Sequence, residues 1–400
     1  MISNVKDWQR QTPALDKAIS DSVSEMLLEI EQQGDAAINQ FAEKFDNQNP
    51  QIIELKDFDE YDLSPDLAEA IKLAAARIER FARFQLEGIE SRYFEDEYGF
   101  YGQVVTPLQR IGAYIPGGRF PLISTALMTL IPAKVAGNPY RIACSPSNNP
   151  AILAAASLAG ATQFIQVGGV QAIGALAYGY NEIAPVDLIV GPGNAWVNEA
   201  KKQLQSKVKI DGLAGPSELL AICDGNQPFE WIALDALAQA EHDPMAQSII
   251  VSDDKNWLNE MFVFLRKNED TKALLANKQI ELVEANSKAQ AIAFSENYAP
   301  EHLMLCHEKI SEQDLNNYGS LFLGANSAVA LGDYISGPNH TLPTLGFARQ
   351  NGGLSVNNYL KIATVQEINN FGRKILSEQA EKIADAEGLK YHAQSLRVRR

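Results

Sequence analysis

From residue 111 onward the chain alternates short apolar runs with helical segments, and glycines mark the joints. "RIGAYIP" is closed by "GG" and followed by "PLISTALMTLIPAKVAG". "YRIAC", "TQFIQV" and "DLIVG" are further short runs, trailed by segments such as "AILAAASLAG" and "NAWVNEAKKQL". The runs have strand length, and the segments between them have the three- and four-residue apolar spacing of helices. Strands alternating with helices pair in parallel through right-handed crossovers, which confines the chain to an α/β architecture. This unit spans residues 111–222. "ELLAICD", "SIIVSDD" and "QIELVEA" begin a second pattern of the same kind. Residues 15–110 read as helices with acidic surfaces, among them "SVSEMLLEIEQQGDAAINQFAEKF" and "DLAEAIKLAAARIERFARFQ". They are expected to pack with the second unit, making the middle unit an insertion into a discontinuous domain. From Val356 onward the chain reads as amphipathic helix without an obvious strand, suited to a cap or a dimerisation arm.

Four hundred residues exceed what one hydrophobic core usually serves. Thirty-four basic against 50 acidic side chains give a formal charge of −16. That balance repels phosphate backbones and anionic lipid, which argues against nucleic-acid or membrane partners. No apolar run is long enough for a transmembrane helix, and "MISNVKDWQRQTPALDKAIS" lacks the plan of a signal peptide. Cys144, Cys223 and Cys306 lie far apart in apolar runs, as buried reduced thiols of a cytoplasmic protein would.

The motifs HExxH, GxxxxGK[ST] and GxSxG are absent. Three strand-to-helix joints are glycine-rich instead: "YIPGGRFP" (114–121), "VGGVQAIG" (167–174) and "VGPGNAWVNEA" (190–200). Any one alone is a tight turn. Three in one sheet point to a ligand crevice at the strands' carboxyl ends, where a pyrophosphate can meet a helix N-terminus. Four of the five histidines stand near an amide or carboxylate. His242 follows Gln239 by three residues, so on a helix they share a face. His302 follows Glu301 in "APEHLML", with Pro300 suited to a helix's first turn. His340 follows Asp333 in the Gly/Pro-rich "GDYISGPNHTLPT", and His392 follows Glu387 in "EGLKYHAQ". Only His307 lacks such a setting. Imidazoles with carboxylates suit a zinc site with an open position, and Glu301 with His302 suits general acid–base work. Spacing does not say which histidines bind metal.

Taken together, "YIPGGR", "GGVQAI", "GPGNAWVNEAK", "AGPSE", "QAEHDP", "APEHL", "GDYISGPNHTLPT" and "EGLKYH" resemble the histidinol dehydrogenase family from about residue 20 to the end. The resemblance implies two incomplete Rossmann-like α/β domains, one inserted in the other, with helical N- and C-terminal extensions. Its boundaries would be an N-terminal helical extension at 1–18 and a discontinuous domain at 19–110 and 223–354 carrying zinc and the acid–base residues. An inserted cofactor domain at 111–222 and a helical dimerisation tail at 355–400 complete it. The implied activity is a zinc-dependent, NAD-linked four-electron oxidation of L-histidinol to L-histidine through bound L-histidinaldehyde, the end of histidine biosynthesis. On the family's pattern one zinc per subunit falls to Gln239, His242, Asp333 and His392, and the acid–base roles to Glu301 and His302. Substrate contacts fall to Ser217, His340 and Glu387 beside His302 and the zinc ligands. Cofactor contacts fall to Tyr114, Gln171 and Asn194. The tail would reach into a homodimer partner, where Glu387 and His392 complete the neighbour's site. Competing readings are a zinc/NAD dehydrogenase of another small alcohol, a zinc hydrolase in which Glu301 activates water, and a non-catalytic binder with an NAD-like crevice. Intact Glu387 and His392 weigh against the first, and the Glu301–His302 pair against the last.

Overall fold

The computed structural model describes residues 2–10, 17–118, 121–212, 215–267 and 269–400. Among them, two six-stranded sheets carry the fold. Across the first run Gln51–Ile53, Gln163–Gln166, Tyr140–Ser145, Arg110–Tyr114, Leu188–Val190 and Lys209–Ile210, parallel except at the first pair. Across the second run Ser3–Asn4, Ile280–Glu284, Gln247–Ser252, Glu218–Cys223, His302–Cys306 and Ser320–Leu323, all parallel. Both sheets are wound alike. Apart from one edge strand drawn from earlier in the chain, Gln51–Ile53 or Ser3–Asn4, a central strand comes first, two are added on one side, then two on the other. Every residue of Glu218–Cys223 is buried, as a parallel strand covered by helices on both faces requires. A third, antiparallel ribbon pairs Leu360–Ile368 with Gly99–Pro107 and Gly99–Pro107 with Arg92–Glu95. No helix among the described residues is long and apolar enough to cross a membrane, and the three cysteines are free and buried.

The helix Lys17–Gln33 buries Val23, Leu27 and Ile30 in one core with Ile173, Leu176 and Val197. Ile78 of Pro65–Leu86 meets Leu127 and Ile131 of Ile123–Ala136 in the core on the other face. Residues 17–212 therefore surround the first sheet, and Leu354, Val356 and Tyr359 return to it. Residues 2–10 and 215–349 build the second unit, since Ser3–Asn4 lies beside Ile280–Glu284 and Arg349 hydrogen-bonds the Asn297 carbonyl. An interruption exists, but its boundaries differ from the expected grouping of 19–110 with 223–354. Helical periodicity shows that a face will be buried, not which sheet will bury it.

Three local expectations also change. Where a helical extension is expected at 1–18, residues 3–4 form an edge strand; residues 1 and 11–16 lie outside the described residues. The stretch 15–110 contains the strands Gln51–Ile53, Arg92–Glu95 and Gly99–Pro107. The expected all-helical tail begins with the strand Leu360–Ile368, which exposes every residue after Leu360 and so shows no core-facing alternation. Its β-branched Ile362, Thr364, Val365 and Ile368 are the signal of a strand.

Candidate active site

The helix Lys288–Tyr298 ends with Ala299 in the left-handed region at φ 50°. Pro300 therefore follows a helix instead of opening one. That corrects the sequence expectation, because Glu301 and His302 enter the strand His302–Cys306. They meet the amino end of Glu218–Cys223, where Leu219 lies opposite His302. The Glu218 N–H donates to Glu301 Oε2 at 2.7 Å. The Glu218 carbonyl lies 3.1 Å from His302 Nδ1, and since a carbonyl only accepts, that nitrogen carries the hydrogen. His302 Nε2 then faces Asp333 Oδ1 at 3.6 Å, while Nδ1 lies 3.5 Å from Glu301 Oε2. Burial opposes charge on this ring, yet Glu301 and Asp333 outweigh it and push His302 up to about 10.

Asp333 rides on the helix Val329–Tyr334, which docks on Phe229–Ala240 where the Val329 N–H donates to Asp235 Oδ1 at 3.1 Å. Gln239 is buried in the last turn of that second helix. His242 lies just past its end, exposed, with its N–H on the Gln239 carbonyl at 3.4 Å. Burial raises the Asp333 carboxyl, but the His302 contact and the charges of His302, His340 and His242 hold it below the usual range. His340 donates through Nδ1 to the Asp333 carbonyl at 2.8 Å and accepts at Nε2 from the Thr125 hydroxyl at 3.3 Å. Burial lowers its pKa and favours the neutral ring. Thr125 belongs to Ile123–Ala136, the helix after the first glycine turn, and Asn339 donates to the Met128 carbonyl of the same helix. The site lies at the junction of the two units.

In the first unit the winding reverses between Arg110–Tyr114 and Leu188–Val190, where open α/β sheets bind ligands. Gly191 turns the chain there at φ 111°, and a Cβ on it would meet the Tyr114 carbonyl oxygen at 2.1 Å. Its N–H donates to Asp211 Oδ2 at 2.7 Å and its carbonyl accepts from Lys201 Nζ at 2.9 Å. Lys201 and Asp211 are themselves a buried ion pair. Asn194 caps the helix Ala195–Gln203 through the Trp196 and Val197 N–H groups, both at 3.1 Å. Gln171 is buried and donates to Asp46 Oδ2 at 3.0 Å. Tyr114 is buried with its hydroxyl against the Gly169 main chain. Thus Asn194 faces solvent at its turn, whereas Tyr114 and Gln171 brace theirs from within.

The family model described as histidinol dehydrogenase matches residues 9–400. The chain belongs to the histidinol dehydrogenase family. A histidinol dehydrogenase of Thermus thermophilus is 40% identical over 406 residues, covering 98% of this chain and 97% of that protein. One from Methanosarcina barkeri is 39% identical over 403 residues, covering 95% and 92%. The crystal structure of histidinol dehydrogenase from Elizabethkingia anophelis superposes with a TM-score of 0.89 at 35% identity, over 100% of this chain and 97% of that one. A salicylaldehyde dehydrogenase of Pseudomonas putida, at 12% identity and a TM-score of 0.52, shares the fold alone.

Of the residues that the histidinol dehydrogenase pattern assigns, Gln239, His242, Glu301, His302, Asp333 and His340 gather at the junction, and Ser217 directly precedes Glu218. Glu387 and His392 do not. Both are exposed at the end of the ribbon, where Asn370–Ala386 and Lys390–Arg397 pack on each other. Neither side chain is hydrogen-bonded to the junction among the described residues. That arm also exposes Ile383, Leu389, Tyr391 and Val398. Among the described residues, no group of three or more His, Cys, Asp or Glu side chains is placed to hold a metal within one chain. Sequence reasoning missed Thr125, Arg10 and Glu218. Only Glu218 gives a signal, a lone charge heading the apolar run "ELLAIC".

Proposed function

We propose that the protein oxidises L-histidinol to L-histidine in two NAD-linked steps through bound L-histidinaldehyde, the closing steps of histidine biosynthesis. The observation that carries this reading is the buried Glu301–His302 pair, held by one residue's main chain and turned toward Asp333, in a chain of this family. Gln239, His242 and Asp333 would hold one zinc ion per subunit, with His392 of the partner subunit as the fourth ligand. The donor set fits: an amide and a carboxylate kept ionised on two helices packed together, with an imidazole just past the end of one. One chain supplies three of the four, and the exposed arm carrying the fourth fits an obligate homodimer. When bound, zinc would supply Lewis acidity and fix the substrate's imidazole and amine. NAD in the crevice at Gly191 would supply the hydride acceptor, with Asn194 at its edge and Tyr114 and Gln171 behind the turns.

With Nδ1–H committed to the Glu218 carbonyl, Nε2 of His302 is the atom able to take the alcohol proton once Asp333 is engaged elsewhere. Glu301, fixed by the Glu218 N–H, would take a proton from the water that hydrates the aldehyde. Ser217 and His340 would line the substrate, and Glu387 of the partner subunit would pair with its ammonium group. Burial at the junction keeps the reactive aldehyde from bulk water. Free, buried thiols fit a reducing compartment, so the proposed location is the cytoplasm.

The test is NADH yield per L-histidinol consumed, with zinc and then with a chelator. Two NADH per substrate, lost on chelation and restored by zinc, is the expected result. One NADH would mean a dehydrogenase that releases its aldehyde. None, with zinc bound, would overturn the reading in favour of another alcohol or of hydrolysis.

A further inference from the structure

Arg10 touches both chain segments that deliver the acid–base pair. Its Nη1 lies 3.1 Å from Glu218 Oε1. Its guanidinium stacks 3.9 Å above the Tyr298 ring and donates to the Tyr298 carbonyl. Tyr298 closes the helix that leads through Ala299 and Pro300 into Glu301. Glu218 opens the strand whose amide and carbonyl hold Glu301 and His302. One side chain from the start of the sequence thereby ties the two segments together, and Glu218 is only 4% exposed.

We propose that Arg10 and Glu218 are positioning residues, an ion pair of a half-buried guanidinium and a buried carboxylate that fixes the main-chain amide and carbonyl gripping the acid–base pair. The inference rests on the reading of Glu301 and His302 as acid and base. A buried ion pair is weak evidence of stabilisation, because desolvation offsets much of the attraction. Burial indeed pushes the Glu218 carboxyl up to about 7 against the pull of Arg10. What the pair supplies is geometry. The guanidinium fork reaches a carboxylate, an aromatic face and a carbonyl at once, which a lysine ammonium matches only in charge.

The experiment compares Glu218→Gln, Arg10→Met, Arg10→Lys and the Glu218→Gln/Arg10→Met double variant as full-length, zinc-loaded enzyme. The measured quantities are kcat, KM for L-histidinol and zinc content. Glu218→Gln and Arg10→Met should each lower kcat roughly 10–100-fold, the scale of a small misplacement of reacting groups. KM should stay within about threefold and zinc content unchanged, since substrate binding and metal ligands are untouched. The double variant should be no worse than the poorer single one, and Arg10→Lys should recover part of the loss. Should Arg10→Met fail to fold, the near-isosteric Glu218→Gln decides. Unchanged kcat in folded Glu218→Gln, losses that multiply in the double variant, or a rise in KM alone would overturn the inference. A wild-type enzyme that makes no NADH from L-histidinol would overturn the functional reading, and this inference with it.

Discussion

His302 Nε2 and Asp333 Oδ1 face each other at 3.6 Å, so the proposed base and a proposed zinc ligand share one contact. Their roles separate in a variant that removes only the base. His302→Asn should lower turnover roughly 10²–10⁴-fold, the usual worth of a positioned proton acceptor. Zinc content should stay at one per subunit, read by metal analysis beside the NADH assay. Normal turnover in this variant would remove His302 from the chemistry.

Placing Glu387 and His392 on an exposed arm makes a prediction about subunit mixing. His302→Asn and His392→Ala chains should each be inactive alone. Refolded together in equal amounts, they should recover about a quarter of wild-type sites, because half the random dimers pair them and each such dimer has one intact site. No recovery would show that the arm acts on its own chain. Truncation after residue 380 should abolish zinc binding and dimerisation together.

Lys201 and Asp211 clamp both main-chain groups of Gly191. Lys201→Met leaves the Asp211 carboxylate buried without its cation, which should cost about 3–5 kcal/mol of stability. The loosened turn should also raise KM for NAD⁺ while kcat at saturating cofactor is kept. Calorimetry and cofactor titration read the two effects, and an unchanged KM would detach the pair from cofactor binding.

Glu218 gives the enzyme a pH signature. Its carboxyl is raised by burial to about 7 from the ordinary 4.5. The folded state therefore holds this proton more tightly than the unfolded one, a stabilisation complete below about pH 4.5 and lost as pH rises through about 7. Between those limits wild type should lose up to about 3 kcal/mol relative to Glu218→Gln. Melting temperatures of both proteins from pH 5 to 8 check this. A constant gap between them would mean that Glu218 does not titrate there.

The central strands are legible because runs such as "RIGAY" and "ELLAIC" are buried on both faces and bounded by turn residues. The ribbon strand Leu360–Ile368 is not, because it answers to its partner strand and to solvent instead of to a core. "APEHL" admits two readings, since proline both opens helices and follows them, and the left-handed Ala299 decides between them. Glu301 and His302 are legible as neighbours in sequence. Their grip by the Glu218 main chain is not, because the amide and carbonyl that meet the two side chains are groups every non-proline residue carries. Arg10 is illegible altogether, an ordinary basic residue whose partners the chain reaches only after the whole first unit.

The order of synthesis follows from where the chain's beginning ends up. Ser3–Asn4 has no place to pair until Ile280–Glu284 has been made, and Arg10 has no Tyr298 to stack on before then. Residues 17–212 hold all six strands of their sheet and most of its two cores and can form first, with Leu354, Val356 and Tyr359 added last. The leading segment must wait at the surface and is stitched into the other half afterwards. A polypeptide released before Tyr298 would carry the strands around Gly191 but neither Glu301 nor His302, so the proposed chemistry waits on residues made well after the first unit.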